Sequence, residues 1–194
     1  PLIIKVASIP KERMQVYFID NEEYFKRKAV FTDEDDELFS DNDERAIFFA
    51  KGVVETVKKL NWAPDIIHVH GWMASLLPLY LREFYKEEPL FKESKIVTSL
   101  YNSGFEGELN SDLAVKVKFD LSENDKISTI ETPTHTNILK SAIENSDAII
   151  YGSEKLSEEV SSFIEANEKP VLGYQTENLR DSYLNFYSEL LSEE

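Results

Sequence analysis

The sequence predicts an α/β fold, a mostly parallel sheet with helices on both faces, preceded by an N-terminal hairpin. Three observations lead there. Short apolar runs alternate with stretches of helical period along most of the chain. At 194 residues, with 42% hydrophobic and 30% charged content, the chain can bury one sizeable core. Finally, Pro64–Trp72 reads as a buried strand running into a polar tip and then directly into a helix. In parallel α/β folds such polar clusters at the carboxyl ends of strands are where ligands collect.

The elements follow in order. Leu2–Ser8 and Met14–Asp20 are apolar runs separated by Ile9-Pro10-Lys11-Glu12-Arg13, a hairpin with proline at its turn. Tyr24 and Phe25 are expected to cover this hairpin. Thr32–Asp43 is acidic and nearly free of aliphatic residues, so it reads as a solvated loop in which Asp35 and Asp36 aid solubility. Asp41, Asn42 or Asp43 can cap the next helix. Along that helix Ile47, Ala50, Val54, Val57 and Leu60 recur every three or four residues, marking a core face, and Asn61 and Pro64 stop it. Asp65–His70 is a strand, followed by a helix over 72–86 that Pro78 must kink unless it lies in the first turn. Lys95–Leu100 is the next strand. Residues 101–133 are expected to be irregular apart from a short helix near Asp112–Phe119. Then come a helix at Asn137–Glu144, a strand at Ala148–Tyr151, a helix capped by Ser153 and reaching Ala166, a strand at Pro170–Gly173 and a helix at Glu177–Leu191. No repeat or linker divides the chain, so residues 1–194 read as one domain. Because strand begins directly after Pro1, a first strand and its loop are expected to lie upstream.

Composition narrows the function. Lys and Arg total 21 against 37 Asp and Glu, a net charge of −16. That field repels nucleic-acid backbones and anionic membranes but places no restriction on a neutral polysaccharide. No apolar run approaches the roughly 18 residues of a membrane span. Cysteine is absent, which removes disulfides and thiolate sites, and a cytoplasmic location is expected. His68 and His70, two apart on a strand, point to one face. A metal there needs further ligands, such as His135 or an Asp, and the better reading has His68 packed within the fold and His70 lining a crevice. No metal or cofactor is expected. There is no glycine-rich phosphate motif and no G-x-S-x-G elbow; Asn102-Ser103-Gly104-Phe105-Glu106-Gly107 reads as a turn.

Ser40-Asp41-Asn42-Asp43-Glu44-Arg45 resembles the D-N-x-E-R-F signature of bacterial glycogen and plant starch synthases. Pro64-Asp65-Ile66-Ile67-His68-Val69-His70-Gly71-Trp72, followed by Leu77-Pro78-Leu79-Tyr80-Leu81, resembles P-D-I-I-H-x-H-D-W and V-P-x-Y-L. Val16–Asn21 and Ser146–Ile150 with Ser153 and Glu158-Glu159-Val160 are similar to further family segments, so the likeness is collinear over 14–165. The resemblance implies the acceptor-side half of a two-domain GT-B glucosyltransferase, a Rossmann-like unit that works with ADP-glucose and an α-1,4-glucan. It implies a crevice lined by Asp41, Asn42, Arg45, His70, Trp72, Tyr101 and Asn102.

Two departures bear on activity. Gly71 stands where the family has the Asp of H-D-W. With Thr98 set against the Thr of T-x-H-N-L-x-Y-Q-G, Leu100 falls at the active-site His, and leucine neither titrates nor donates a hydrogen bond. The family's second half holds most contacts to the donor nucleotide. The expectation is therefore a degenerate relative, non-catalytic or dependent on a partner, acting in α-glucan metabolism. Two alternatives stand beside it: an active glucosyltransferase whose second half is supplied elsewhere, and a pure protein-interaction domain in which Trp72, Tyr101 and Tyr24 face the core or a partner.

Overall fold

The computed structural model describes residues 1–119 and 125–192. The part of the expected irregular 101–133 stretch at 120–124 lies outside the described residues.

Strands β1 (Ile3–Ile9) and β2 (Met14–Asp20) form an antiparallel hairpin with Ile9 opposite Met14. Pro10 opens its turn, and Arg13 closes it in the left-handed region at φ 52°. A four-residue helix that the sequence did not suggest, α1 (Glu22–Phe25), is capped by the Asn21 side chain, which accepts from the amides of Glu23 and Tyr24. Tyr24 and Phe25 pack against Phe48 of α2 (Asn42–Leu60) at centroid distances of 5.2 and 6.0 Å. Of the expected core face of α2, Ala50 and Val54 are buried, Ile47 and Val57 half-buried and Leu60 exposed where the helix runs out past the core. Ala46 is buried as well, and the helix ends at left-handed Asn61. Asp41 stands at its N-cap without capping it, because Arg27 holds that carboxylate.

The main sheet contains β3 (Ile66–His70), β4 (Lys95–Leu100), β5 (Ala148–Tyr151) and β6 (Val171–Leu172), all parallel and in sequence order. Parallel neighbours require crossovers. Between β4 and β5 lie α4 (Leu113–Phe119), a 3-10 stretch at Asp125–Ile130 and α5 (His135–Glu144); α6 (Glu158–Ala166) precedes β6 and α7 (Leu179–Ser192) follows it. Alternation along the strands divides the core. Val69, Ile96, Leu100 and Ile149 face α2, α5, α6 and the segment after β3. Ile66, Val97, Ala148 and Ile150 face Phe186 and Leu190 of α7. Both faces of the sheet are thus covered, as expected.

Two elements differ from expectation. The segment after β3 is not one helix. It is a 3-10 turn at Trp72–Ala74, an α turn at Leu77–Leu79 (α3) and a π turn at Tyr80–Phe84, in which the Tyr85 amide reaches the Tyr80 carbonyl at 3.1 Å. Pro78 sits at the start of α3, where its missing N–H does least harm, and continuous winding through it is blocked. Helix α6 is capped by Ser157, whose Oγ accepts from the Val160 amide, and not by Ser153. Among the described residues no helix is long and apolar enough to cross a membrane.

Candidate functional site

β3 and β4 end side by side with His70 opposite Ser99. Strand alternation sets His68, His70, Ser99 and Tyr101 on the face that α7 covers. His68 is held from both sides: its Nε2 lies 2.7 Å from Ser99 Oγ and its Nδ1 2.5 Å from the Tyr187 hydroxyl. The ring of His70 lies 3.9 Å from that of His68, centroid to centroid, and its Nδ1 is 2.8 Å from the Tyr101 hydroxyl. As the sequence suggested, His68 is packed within the fold while His70 reaches solvent. Burial, helped by the neighbouring His70, pushes the His68 pKa down to about 4. Burial also lowers the pKa of His70, raises that of Tyr101 and pushes that of Tyr187 up to about 12. The strand tips therefore offer neutral hydrogen-bonding groups.

Tyr101 is firmly seated. A Cβ built on Gly152 would lie 2.5 Å from the Tyr101 ring, so only glycine lets that ring rest where it does. Beside it, the Asn102 amide donates to Ser153 Oγ at 3.0 Å, while α6 begins behind Ser157, four residues further on. Leu100 points the other way. It is 0% exposed, among Leu139, Ile143, Ile149, Val160 and Ile164. Leu100, expected at the place of an active-site histidine, therefore lies on the face of β4 opposite to His70. The tip residue is Tyr101. With Tyr101 as third position, Ser99–Gly107 follows T-x-H-N-L-x-Y-Q-G without a gap, keeping Asn102 and Gly107 and setting Phe105 against the Tyr.

Gly71 has φ 75° and ψ 159°, a region that is essentially glycine's alone. A Cβ there would meet nothing within 4 Å, so its restriction comes from the backbone and not from crowding. Trp72 is only 5% exposed, wedged between Phe31 and Phe105 at centroid distances of 4.7 and 4.8 Å. Asn42 donates to the Phe31 carbonyl at 2.8 Å and accepts from Arg45 Nη1 at 2.5 Å. Arg45 is 4% exposed, with its guanidinium 5.5 Å from the centroids of Phe25 and Phe39, and burial lowers its pKa. Asp41 is bonded to Arg27.

The seven expected residues thus divide. His70, Tyr101 and Asn102 share the strand tips, whereas Asn42, Arg45 and Trp72 brace the core behind them and Asp41 is tied to Arg27. Sequence reasoning missed Ser99, Gly152, Ser153, Tyr183 and Tyr187. The two tyrosines, four apart on α7, carried a helical signal and Ser153 a capping one; Gly152 carried none. Among the described residues no three His, Cys, Asp or Glu are grouped to hold a metal.

Comparison with known proteins bears on the family and the fold. The family model described as the starch synthase catalytic domain matches residues 2–172. A glycogen synthase of Chlorobium luteolum is 37% identical over 164 residues, 82% of this chain and 32% of that protein. A glycogen synthase of Chlorobium phaeobacteroides is 46% identical over 106 residues, 52% of this chain and 21% of that protein. The chain spans about a third or less of the length of these relatives. Among solved structures, the catalytic domain of starch synthase IV from Arabidopsis thaliana, bound to ADP and acarbose, superposes with a TM-score of 0.65 at 17% identity. That match covers 89% of this chain and 36% of the other, and shows a shared fold. With a family model spanning most of its length and relatives above 30% identity, the chain belongs to the starch synthase catalytic domain family.

Proposed function

We propose that the protein is a non-catalytic or partner-dependent relative of the glycogen and starch synthases, acting in α-glucan metabolism, with His70, Tyr101 and Asn102 facing an α-glucan. The observation that carries this reading is Gly71. It replaces the carboxylate of H-D-W, and its backbone lies where a side chain is strained. Tyr101 at the histidine position points the same way. Glucosyl transfer needs charge placed around the reacting sugar and the departing diphosphate, and loss of one such group costs roughly 100- to 1000-fold in rate. Neutral imidazole and phenol groups can still hydrogen-bond sugar hydroxyls. They supply no fixed charge. Any contact with ADP-glucose is correspondingly expected to be weak.

The test is incubation with ADP-glucose and glycogen while ADP release is followed. No release above the blank is expected, with the strand-tip share of maltooligosaccharide binding lost in Tyr101→Ala. Turnover by the purified chain alone would overturn the non-catalytic reading. Turnover only when a second protein is added would support partner dependence, and absence of glucan binding at millimolar ligand would favour an interaction domain. Gly71→Asp is expected to lower stability by about 1–3 kcal/mol without restoring turnover, because the backbone at this position disfavours any side chain.

A further inference from the structure

We propose a second glucan-binding groove at the far end of α2, with Trp62 as its platform. The groove, about 620 Å³, is bounded by the β1–β2 hairpin and by the residues that end α2, with Trp62, Tyr17, Gln15, Arg13, Leu60 and Ser8 in its walls. Trp62 is 56% exposed, and Leu60, which the helical period assigned to the core, is exposed beside it. The Tyr17 hydroxyl donates to Gln15 Oε1 at 2.5 Å, which fixes an aromatic ring and an amide together on one wall.

The lining selects the ligand. A pyranose has apolar C–H faces and a polar hydroxyl edge, which suits an aromatic platform beside neutral donors and acceptors. No carboxylate lines this groove, although the chain holds 37 of them. The grooves beside α4, at the amino ends of the strands and over the 104–108 loop each contain at least two. One arginine in a chain of net charge −16 makes a poor anion site, so a neutral glucan is favoured over a nucleotide.

The groove is distinct from the strand tips. Asn42, at the start of α2, is linked through Phe31 to Trp72 beside the tips, while Trp62 lies just past the other end of this 19-residue helix, roughly 28 Å away. Only a polymer can engage both places. The identity of the ligand rests on the glucan reading above.

The chain has two tryptophans, one exposed and one buried, so acrylamide quenching of fluorescence reports on Trp62. The expected result is a saturable loss of quenching with millimolar maltoheptaose. That loss should vanish in Tyr17→Ala, whose circular dichroism stays native, and persist in Tyr101→Ala. Absence of protection in the wild type would overturn the proposal, as would protection unchanged by Tyr17→Ala, protection by ADP alone, or protection that tracks protein concentration without sugar. Loss of protection in Tyr101→Ala would overturn the groove as a separate site. Maltooligosaccharide binding by Tyr17→Ala, which keeps the strand tips intact, tests the strand-tip reading independently, so the two can fail separately.

Discussion

His68 shows how a single residue's surroundings become a property of the whole chain. Ser99, Tyr187, Tyr183 and His70 all face it, and it stays neutral because its pKa is pushed from 6.5 down to about 4. The unfolded chain regains the ordinary value and takes up the proton first as the pH falls. Stability from this site is therefore complete above the unfolded pKa and is lost progressively between about pH 6.5 and pH 4, by roughly 3 kcal/mol at most. Urea unfolding of the wild type and of His68→Gln across that range checks it. The stability difference between them should shrink on acidification, since carboxylates common to both cancel; parallel curves would refute the assignment. At this scale the sequence was partly legible. Spacing alone placed His68 and His70 on one face. The motif set Thr98 against the family Thr and so put Leu100 at the histidine's place, because the faces of β4, which bring Tyr101 beside His70, are not visible in it. For Trp72 the sequence was open: its burial depends on Phe31 and Phe105, which lie far from it in sequence.

Elements were legible where the signal was local and misread where a distant group decided. The strands and the core face of α2 came from period alone, and most observed bounds lie within a few residues of those expected. The start of α6 did not. Ser153-Glu154 and Ser157-Glu158 carry the same local cue, but Ser153 Oγ accepts from the distant Asn102 amide, while Ser157 Oγ accepts from Val160. The two serines should thus respond differently. Ser157→Ala is expected to cost about 1 kcal/mol through loss of a cap, lowering the thermal midpoint. Ser153→Ala should leave α6 intact and instead speed hydrogen exchange at the Asn102 amide. Equal effects on α6 from both substitutions would contradict the assignment. The π turn at Tyr80–Phe84 left no trace in the pattern, because Pro78 announces a break without saying how the chain rewinds.

At the scale of the molecule, the parallel order and the two covered faces follow from alternation and crossovers, but the independence of the hairpin does not. Among the described residues β1 pairs only with β2, and Val6, Ile9, Met14 and Phe18 are exposed on the pair. A two-stranded ribbon is marginal by itself. Its anchorage is visible at Gly52, where an added Cβ would lie 2.8 Å from Ile19 and 3.2 Å from Leu2. The hairpin rests on α2 because that position has no side chain. Gly52→Ala therefore acts with opposite signs on two elements. Helix α2 gains up to about 1 kcal/mol in propensity, while the hairpin must shift to make room. Native-state hydrogen exchange separates the two effects. In the wild type the β1–β2 amides should exchange through a partial opening of lower free energy than the one that releases β4. In Gly52→Ala that opening should become easier still, while β4 amides keep or increase their protection. If hairpin and β4 amides slow or quicken together, the hairpin unfolds with the main core and the anchor is not where the packing places it.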